Sequence, residues 1–538
     1  MHRLVEHRTP ARIRAEHGIP AQQSSPRQLQ PEARPQFPAT HWPSSTSVRD
    51  PQGLTLAPGL EVAPLTPLAH NARVTATPWQ RRVIVVGLVV LMAMALASAL
   101  LRFHGPLLVA LALVTALYLG DLVFCAYLVT GSMRRRNGTT NAALSEPEFW
   151  PMYTVLCPMY RETAVLSQFV AAINRLDYPA ESLQVLLLLE ADDFETIELA
   201  RRMSLPATFE VVVVPDIQPK TKPKACNYGL MFARGEYVVI FDAEDLPEPD
   251  QLKKAARAFA EAPGRIACLQ APLNFYNPRQ NVLTRLFTAE YSLWFDLMML
   301  GLQRLKGPIP LGGTSNHFRI EVLRSLGGWD IYNVTEDADV GIRLYKQGFR
   351  TAMLDSTTYE EANSSLRNWT RQRSRWIKGY LQTLLVHTRG GWEFRRTRDP
   401  HFFTFLLIIG GKAVVNFINP LMWIITISYF LFRTAIGRAI ESLYPPPVFY
   451  PAVATLLLGN LLFIYTFLLG SARRGDYDLI KYGLLAPIYW LMMSVAACKA
   501  LWQLIREPHY WEKTEHGLHL DMRNPFTSER YEHQPVLR

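Results

Sequence analysis

Two carboxylates placed directly after an apolar run are the residues of this sequence best suited to chemistry. Asp242 and Glu244 follow the apolar residues 238–241, and Asp245 comes next along the chain. Carboxylates at positions i and i+2 beyond the end of a strand can share one hard divalent cation, which would in turn bridge the oxygens of a diphosphate. The spacing therefore predicts a divalent metal site at Asp242 and Glu244.

A second acidic cluster consists of Thr335, Glu336 and Asp337 and leads into a predicted amphipathic helix over 340–347. A carboxylate held near a metal site can act as a general base when an acceptor hydroxyl lies within hydrogen-bond reach. The same three residues also suit a helix cap, in which they only complement the helix dipole. The cluster by itself leaves both roles open.

An acidic segment, 189–193, and a basic aromatic segment, 372–376, complete the set. Glu190, Asp192 and Asp193 follow an apolar run, where an open parallel sheet would place a nucleotide site. In the second segment, Arg suits a diphosphate through paired charged hydrogen bonds, and Trp offers an apolar face to a sugar ring. Taken alone, segment 372–376 could equally be a basic amphipathic helix on a membrane surface.

All four motifs lie within residues 149–380, where short Val- and Leu-rich runs alternate with charged helical stretches. This alternation is typical of an α/β domain with a mostly parallel sheet. The pattern predicts strands over 153–158, 183–189, 210–215 and 237–242, and helices over 163–176 and 251–262. These elements would bring the acidic motifs to one edge of the sheet.

Long apolar stretches on both sides of this domain indicate a multi-pass membrane protein. The chain is 49% hydrophobic and only 19% charged, which excludes a purely soluble enzyme of this length. Residues 83–130 form two runs that can each cross about 30 Å of hydrocarbon, joined as a hairpin. Three further stretches lie within 402–505, and Gly410, Gly411 and Pro420 interrupt the first of them. We therefore expect five or six membrane helices.

The distribution of the net charge of +10 fits a membrane better than a nucleic acid. Arg81 and Arg82 precede the hairpin, the three Arg residues 134–136 follow it, and Arg473 and Arg474 precede the last apolar stretch. Basic residues concentrate on the cytoplasmic flanks of membrane helices, so we expect domain 149–380 to be cytoplasmic and to bind no nucleic acid.

The two ends of the chain have different expected properties. Residues 1–80 are rich in Pro and Arg and have no sustained apolar periodicity, which predicts a disordered cytoplasmic tail. Residues 506–538 form a C-terminal tail whose aromatic segment 509–514 is expected among the lipid headgroups. The five cysteines have no paired spacing, so neither a zinc site nor a disulfide framework is predicted.

Six motifs in a fixed order give the chain its resemblance to a known family. They are Cys157-Pro-Met-Tyr160-Arg-Glu162, Asp192-Asp193, Lys222-Pro-Lys224-Ala-Cys-Asn227, Asp242-Ala-Glu244, Thr335-Glu336-Asp337 and Gln372-x-x-Arg375-Trp376. Over residues 150–380 the chain resembles the processive family 2 glycosyltransferases, the bacterial cellulose synthase group and its relatives. The resemblance implies a GT-A (Rossmann-like) α/β domain inserted between transmembrane helices.

The resemblance also implies a role for each matching residue. Asp337, with Glu336 beside it, matches the base that deprotonates the acceptor hydroxyl, and Asp242 and Glu244 match the Mg²⁺ or Mn²⁺ site. The nucleotide would meet Tyr160, Glu162, Glu190, Asp192, Asp193, Lys224 and Asp242, with Lys224 facing the diphosphate. Acceptor and diphosphate would meet Gln372, Arg373, Arg375, Trp376, Thr314 and Ser315, the last two in a loop over 312–316.

Two departures from the family pattern leave alternatives open. Glu244 stands where the family has Asp, and Asp245 next to it is a candidate substitute ligand. The first acidic cluster reads Glu-Ala-Asp-Asp, so Glu190 or Asp193 could replace Asp192 at the nucleotide.

The function implied is inverting, processive polymerisation of a nucleotide sugar, most simply a UDP-hexose, into an exopolysaccharide that crosses the bacterial inner membrane. The alternative within enzymes is transfer of one sugar to a lipid or other membrane acceptor. A catalytically silent scaffold would have no need of Asp337. The donor sugar, the linkage, and the need for a periplasmic export or accessory subunit stay open at this stage.

Overall fold

A nine-stranded mixed sheet forms the centre of the protein. The computed structural model describes residues 48–49, 55–56, 71–100, 105–133, 149–390, 401–442 and 444–514. The strand order in the sheet is β1-β2-β5-β4-β3-β6-β10-β8-β11. The strands are β1 (Val48–Arg49), β2 (Thr55–Leu56), β3 (Tyr153–Met159), β4 (Leu183–Glu190), β5 (Phe209–Val214), β6 (Tyr237–Ile240), β8 (Ile266–Gln270), β10 (Asn316–Arg319) and β11 (Arg350–Met353).

Strands β5, β4, β3 and β6 are parallel, and β10 runs antiparallel between β6 and β8. Leu187 and Leu189 of β4 belong to the apolar cluster on one face of the sheet, and Leu186 and Leu188 belong to the cluster on the other face. A strand buried on both faces reads as a continuous apolar run, which explains the Leu-rich sequence of β4. The predicted α/β domain is confirmed.

Helices cover both faces of the sheet and continue into the apolar segments. They are α1 (Pro78–Leu100), α2 (Gly105–Met133), α3 (Thr163–Ile173), α4 (Phe194–Arg202), α5 (Lys222–Phe232), α6 (Gln251–Glu261), α7 (Val282–Leu293), α8 (Met299–Leu305), α9 (Ile320–Ser325), α10 (Glu336–Lys346), α11 (Leu366–His387), α12 (Phe402–Phe405), α13 (Lys412–Leu431), α14 (Arg433–Ser442), α15 (Pro446–Ala454), α16 (Asn460–Arg473) and α17 (Ala486–Arg506).

A second, three-stranded sheet lies beside the first. It consists of β7 (Leu246–Pro247), β12 (Thr358–Glu360) and β9 (Leu273–Phe275), in the order β7-β12-β9. Strand β7 follows the Asp242 motif after a short turn, and β12 ends at Glu360. The candidate metal ligands therefore lie between a strand of the large sheet, β6, and a strand of the small sheet, β7.

Five helical segments in the described part of the chain are long and apolar enough to cross a membrane. They are Pro78–Ser98, Gly105–Met133, Phe402–Leu431, Pro446–Arg473 and Tyr477–Arg506. Two precede the α/β domain and three follow it, so the expected insertion of the domain between membrane helices is confirmed. The interrupted stretch that begins at Phe402 is one continuous helical segment with a π-helical turn at Leu406–Gly411.

Helix α17 has the composition of a membrane span, yet both of its ends contact the α/β domain. Near its start, the Tyr489 hydroxyl accepts a hydrogen bond from Trp369 Nε1 at 3.2 Å. Just beyond its end, Pro508 O accepts a hydrogen bond from Gln382 Nε2 at 2.9 Å. Because Trp369 and Gln382 both belong to α11, α17 runs along that helix. The described residues after α17 therefore lie on the side of the α/β domain.

Part of the segment 1–80, which is predicted to be a disordered tail, belongs to the described residues. Thr55 of β2 pairs with Val212, so β1 and β2 extend the edge of the large sheet. Ala72 is buried, and its backbone N–H donates to Asp330 Oδ2 at 2.5 Å. Residues 1–47, 50–54 and 57–70 lie outside the described residues, as does the basic segment 134–136.

Candidate active site

A cavity of about 750 Å³ begins beyond the ends of the central strands and extends between the membrane helices. Seven charged or polar residues that the sequence singles out line it, together with one aromatic residue. They are Asp242, Glu244, Glu336, Asp337, Gln372, Arg373, Arg375 and Trp376. The structure therefore brings together three motifs that are up to 134 positions apart in the chain, counted from 242 to 376.

The metal-ligand candidates follow β6 directly. Asp242 forms an ion pair with Lys222 at the start of α5, and Lys222 Nζ also donates to Gly313 O at 2.7 Å. Burial lowers the pKa of Lys222, but Asp242 and Glu336 more than offset this effect and raise it above its ordinary value. Lys222 therefore stays a cation beside the carboxylates Asp242 and Glu336 of the cavity.

Asp245 does not line the cavity, so its candidacy as a substitute ligand is corrected. One of its carboxylate oxygens, Oδ2, accepts hydrogen bonds from the Asp242 backbone N–H at 2.7 Å and from the Thr314 hydroxyl. The side chain is buried, and burial holds the pKa of Asp245 well above its usual range. Asp245 fixes the turn that presents Asp242 and Glu244 to the cavity.

The two carboxyls at the start of α10 titrate in different ranges. Burial raises the pKa of Asp337 to about 6, against the opposing effects of the Ala338 N–H, Lys222 and Arg375. Burial and the charge of Asp337 raise the pKa of Glu336 to about 8. Of the two coupled carboxyls, Asp337 therefore loses its proton first, which makes it the candidate base.

Helix capping occupies only one oxygen of the Asp337 carboxylate. Thr335 occupies the N-cap position, but its side chain makes no capping hydrogen bond. Asp337 Oδ1 accepts the hydrogen bond of the Ala338 N–H at 2.8 Å, while Oδ2 points toward Gly313, 3.6 Å from an ideal Cβ built there. The helix end therefore stabilises the ionised carboxylate, and one oxygen faces the cavity for an acceptor hydroxyl.

Helix α11 carries Arg375 and Trp376 to the opposite wall. Arg375 is buried within electrostatic range of Asp242, Glu336 and Asp337, and burial lowers its pKa from the ordinary value without neutralising it. Gln372 lines the cavity while its Oε1 accepts a hydrogen bond from Asn363 Nδ2 at 3.0 Å. Arg375 is thus the guanidinium best placed for a diphosphate near Asp242.

Arg373 is committed to a different contact. Its Nη1 donates to Glu290 Oε1 at 2.9 Å, and its second terminal nitrogen pairs with the other oxygen of the same carboxylate. The guanidinium lies over the Phe287 ring at 4.5 Å and the Trp376 ring at 4.7 Å from their centroids. Arg373 therefore positions Trp376 and α7, and its assignment to the diphosphate is corrected.

The first predicted nucleotide group forms a polar cluster at the ends of β3 and β4. The Tyr160 hydroxyl donates to Asp192 Oδ2 at 3.1 Å, and Lys220 Nζ pairs with the same oxygen at 2.7 Å. The hydrogen bond from Lys220 lowers the pKa of Asp192, so this carboxylate is ionised at neutral pH. Glu162 pairs with Lys513 at 3.3 Å. None of these five residues lines the described cavity.

Two other predicted nucleotide contacts are buried inside the fold. Lys224 Nζ donates to Glu190 Oε2 at 2.7 Å, to Pro215 O at 3.0 Å and to Ile217 O at 3.2 Å. All three ammonium protons are therefore used, and Lys224 cannot face the diphosphate. Lys222, two residues earlier in the same motif, is the lysine in the cavity.

Three more expectations are corrected for similar reasons. Asp193 caps α4 by accepting the Thr196 N–H at 3.3 Å, so it is not a free nucleotide contact. The Thr314 hydroxyl, which donates to Asp245 Oδ2, also lies 3.0 Å from Ile240 O, and the Ser315 hydroxyl donates to Thr358 Oγ1 at 2.7 Å. Both side chains are buried, and the neighbouring backbone of Gly312 and Gly313 lines the cavity instead.

The segment after α17 covers the site, which the sequence did not predict. Trp511 lines the cavity, and Arg375 lies over its ring at 4.7 Å from the centroid. Lys513 pairs with Glu162, and Lys378 Nζ donates to Tyr510 O at 2.7 Å. Segment 509–514, expected among the lipid headgroups, thus contacts the α/β domain beside the cavity. Its only sequence signal is a pair of aromatic residues beside two charged ones.

Comparisons with known proteins find glycosyltransferase relatives of this chain. Residues 237–472 match the family model described as glycosyl transferase family group 2. The chain is 23% identical over 316 residues to the probable glycosyltransferase YdaM of Bacillus subtilis (strain 168), which covers 54% of this chain and 75% of that protein. It is 30% identical over 246 residues to the cellulose synthase catalytic subunit [UDP-forming] of Pseudomonas fluorescens (strain SBW25), covering 44% of this chain and 32% of the relative.

A plant relative and two solved structures extend the comparison. Glucomannan 4-beta-mannosyltransferase 7 of Arabidopsis thaliana is 27% identical over 241 residues, which is 43% of each chain. The mannosyltransferase PcManGT of Pyrobaculum calidifontis, solved with GDP-Man and Mn²⁺, aligns with a TM-score of 0.45 and 21% identity over 74% of this chain and 99% of its own. S. aureus TarS aligns with a TM-score of 0.33 and 14% identity over 68% of this chain and 97% of its own. The matched region spans less than half the length of the cellulose synthase and glucomannan relatives.

Proposed function

We propose that this chain is a glycosyltransferase of family group 2 with a GT-A domain, related to cellulose synthase catalytic subunits. We propose further that it polymerises a nucleotide-activated hexose by inverting transfer. The single observation that carries the proposal is the continuity of the cavity. The same space is lined by Asp242 and Asp337 at one end and by Asn416 and Trp423 of α13 at the other. An acceptor that enters this space has one end at the candidate base and the rest between membrane helices.

The proposed reaction uses the ionised Asp337 as the general base. Its carboxylate takes the proton of the acceptor hydroxyl as that oxygen forms a bond to the anomeric carbon of the donor. The bond between that carbon and the diphosphate breaks, and the electron pair leaves with the nucleoside diphosphate. Lys222 and Arg375 are the cations placed to stabilise the departing charge. Attack from the opposite face of an α-linked donor gives a β-linkage.

A divalent cation fits the residues beside this reaction. Asp242 and Glu244 present hard carboxylate oxygens to the cavity, and Mg²⁺ commonly binds one or two carboxylates together with substrate phosphates. Within the described residues no group of three or more His, Cys, Asp or Glu side chains is arranged to hold a metal, so donor phosphates would complete the shell. Mg²⁺ or Mn²⁺ bound there would neutralise diphosphate charge.

The proposed location is the bacterial inner membrane, with the catalytic domain in the cytoplasm. Arg81 and Arg82 lie at the start of α1, and the hairpin returns the chain to the side from which it entered. A cytoplasmic site has access to nucleotide sugars. A growing glycan cannot cross hydrocarbon unaided, because its hydroxyls would lose their hydrogen bonds to water. We propose that the helices around the cavity conduct the product, with an accessory export subunit as a further partner.

The second candidate is transfer of one sugar to a lipid acceptor. The observation that favours it is the apolar character of the cavity wall between the membrane helices, where Ile425, Phe430 and Leu456 face the space. An alkyl chain would pack against these side chains without unsatisfied polar groups. The two functions use the same base and differ in product length.

The test is nucleotide release and product size from the purified chain in lipid nanodiscs, supplied with a panel of UDP- and GDP-sugars and Mg²⁺ or Mn²⁺. Polymer from one donor, lost in Asp337→Asn, is the expected result. One sugar added to lipid would replace the proposal with the second candidate. No turnover with any donor, in membranes that also contain the native accessory proteins, would overturn both. Asp250→Asn, outside the cavity, is the matched control.

A further inference from the structure

A charged pair lies between two membrane helices, well away from the transfer site in sequence. Lys412 of α13 places its Nζ 2.8 Å from Asp121 Oδ1 and 2.9 Å from Asp121 Oδ2 of α2. A charged side chain in the middle of a membrane helix is costly to insert. A pair that only joined two helices could be replaced by apolar packing at lower cost. Its presence therefore calls for a function.

The pair is open to the cavity that holds the candidate base. Both residues line that cavity, and the Lys412 side chain is 29% exposed to it while Asp121 is 3% exposed. Lys412 also lies 5.2 Å from the centre of the Phe463 ring. An ammonium, a carboxylate and an aromatic face therefore meet the same space.

A polar stripe continues from the pair along α13. Asn416, Asn419 and Trp423 follow Lys412 at spacings of four, three and four residues, which places all four on one face of the helix. All four line the cavity. At a rise of about 1.5 Å per residue the stripe is about 16 Å long. Polar groups inside the hydrocarbon region otherwise need hydrogen-bond partners within the protein.

The Tyr118 hydroxyl on α2 supplies an unsatisfied group at the same place. Tyr118 is one helical turn before Asp121 and lines the cavity. Within the part of the chain that the structure describes, its buried hydroxyl makes no hydrogen bond. A buried hydroxyl without a partner is destabilising, so a ligand that hydrogen-bonds to it gains affinity.

We propose that Tyr118, Asp121 and Lys412, with the Phe463 ring, form a carbohydrate-binding site that holds the acceptor glycan between successive transfers and thereby sets product length. This inference rests on the proposed polymerisation. Sugar hydroxyls both donate and accept hydrogen bonds, so they match a carboxylate, an ammonium and a phenol together. The ring packs against the apolar face of a sugar. An alkyl chain would form no hydrogen bond with the three polar groups, and an anion would be repelled by the Asp121 carboxylate.

Product length at equal nucleotide release tests the site. Variants Tyr118→Phe, Lys412→Met and the double variant Asp121→Asn with Lys412→Met are compared with wild type in nanodiscs. Loss of one neutral hydrogen bond should shorten the mean chain about threefold, and loss of the charged contacts about tenfold, because the product then dissociates more often per transfer. Tyr127→Phe is the matched control, since Tyr127 is on α2 but 58% exposed on its outer surface.

Each outcome decides the inference. Shorter product from Tyr118→Phe and the pair variants, with Tyr127→Phe equal to wild type, supports the site. Equal product length from Tyr118→Phe and from the double variant Asp121→Asn with Lys412→Met overturns it as long as wild type makes polymer. If wild type adds only one sugar, the proposed polymerisation itself fails. The product length of wild type is therefore measured before any variant is compared.

Discussion

The charge of Lys222 should set the pH at which the enzyme loses activity in acid. Lys222 is a buried cation that lowers the pKa of both Asp337 and Glu336. With Lys222 in place, burial still leaves the pKa of Asp337 at about 6. Activity requires the ionised base, so kcat/KM should fall as pH drops through about 6. Since the two carboxyls are coupled, this midpoint reports the pair.

Replacing Lys222 by Met removes the ammonium and leaves the burial. An opposite charge nearby lowers a carboxyl pKa by about 1 to 3 units, so its loss should raise the acid midpoint to about 7 or above. At pH 6 the ionised fraction then falls from about one half to about one eleventh. Relative to the plateau above pH 8, Lys222→Met should therefore lose about fivefold more activity at pH 6 than wild type does.

The assay is kcat/KM from nucleotide release between pH 5 and 9, at one fixed cation concentration. Lys220→Met is the control, because Lys220 pairs with Asp192 and Asp216 and does not line the cavity. It should weaken donor binding without moving the midpoint. Equal midpoints for wild type and Lys222→Met would refute the reasoning, since the proton acceptor would then not feel the Lys222 charge.

Three further predictions concern packing around the site. Lys224→Met should lower the free energy of unfolding by about 3 to 5 kcal/mol in denaturant titrations, because Glu190 keeps a buried charge without its partner, and a wild-type-like stability would contradict the buried pair. Arg373→Met should cost a similar amount for the same reason at Glu290, and a thermal shift no larger than that of a surface Arg201→Met control would argue against it. Gly379→Ala should lower the free energy of unfolding by about 1 to 3 kcal/mol and reduce activity, because the added Cβ would lie 2.3 Å from Thr335 Oγ1 beside the base. Unchanged kcat and Tm would show that the Thr335 side chain moves aside without cost.

The regular elements of the domain could be predicted because local patterns encode them. Apolar runs predicted strands over 153–158 and 183–189, and the structure has Tyr153–Met159 and Leu183–Glu190. The prediction over 237–242 ended two residues late, since β6 ends at Ile240 and the last two positions already belong to the turn that presents Asp242. Side-chain periodicity indicates which residues are buried, but it does not indicate where the hydrogen bonds between neighbouring strands end.

The site could be predicted only in part, because a motif gives residue types and not side-chain directions. The sequence predicted that Asp242, Asp337 and Trp376 act together, and the structure places all three around one cavity. It could not tell Lys222 from Lys224, which are two residues apart at the start of α5. Only the packing of α5 on the sheet sends Lys224 to Glu190 and Lys222 into the cavity.

The sequence by itself therefore determined the fold class, the membrane helices and the chemical types that meet at the site, because composition, periodicity and motif order are local properties of the chain. Tertiary structure alone decided which of those side chains are free to react. The contacts that settle this, such as Arg373 with Glu290 and Lys412 with Asp121, join residues 83 and 291 positions apart. Burial and partner charges then fix protonation, which no stretch of sequence contains.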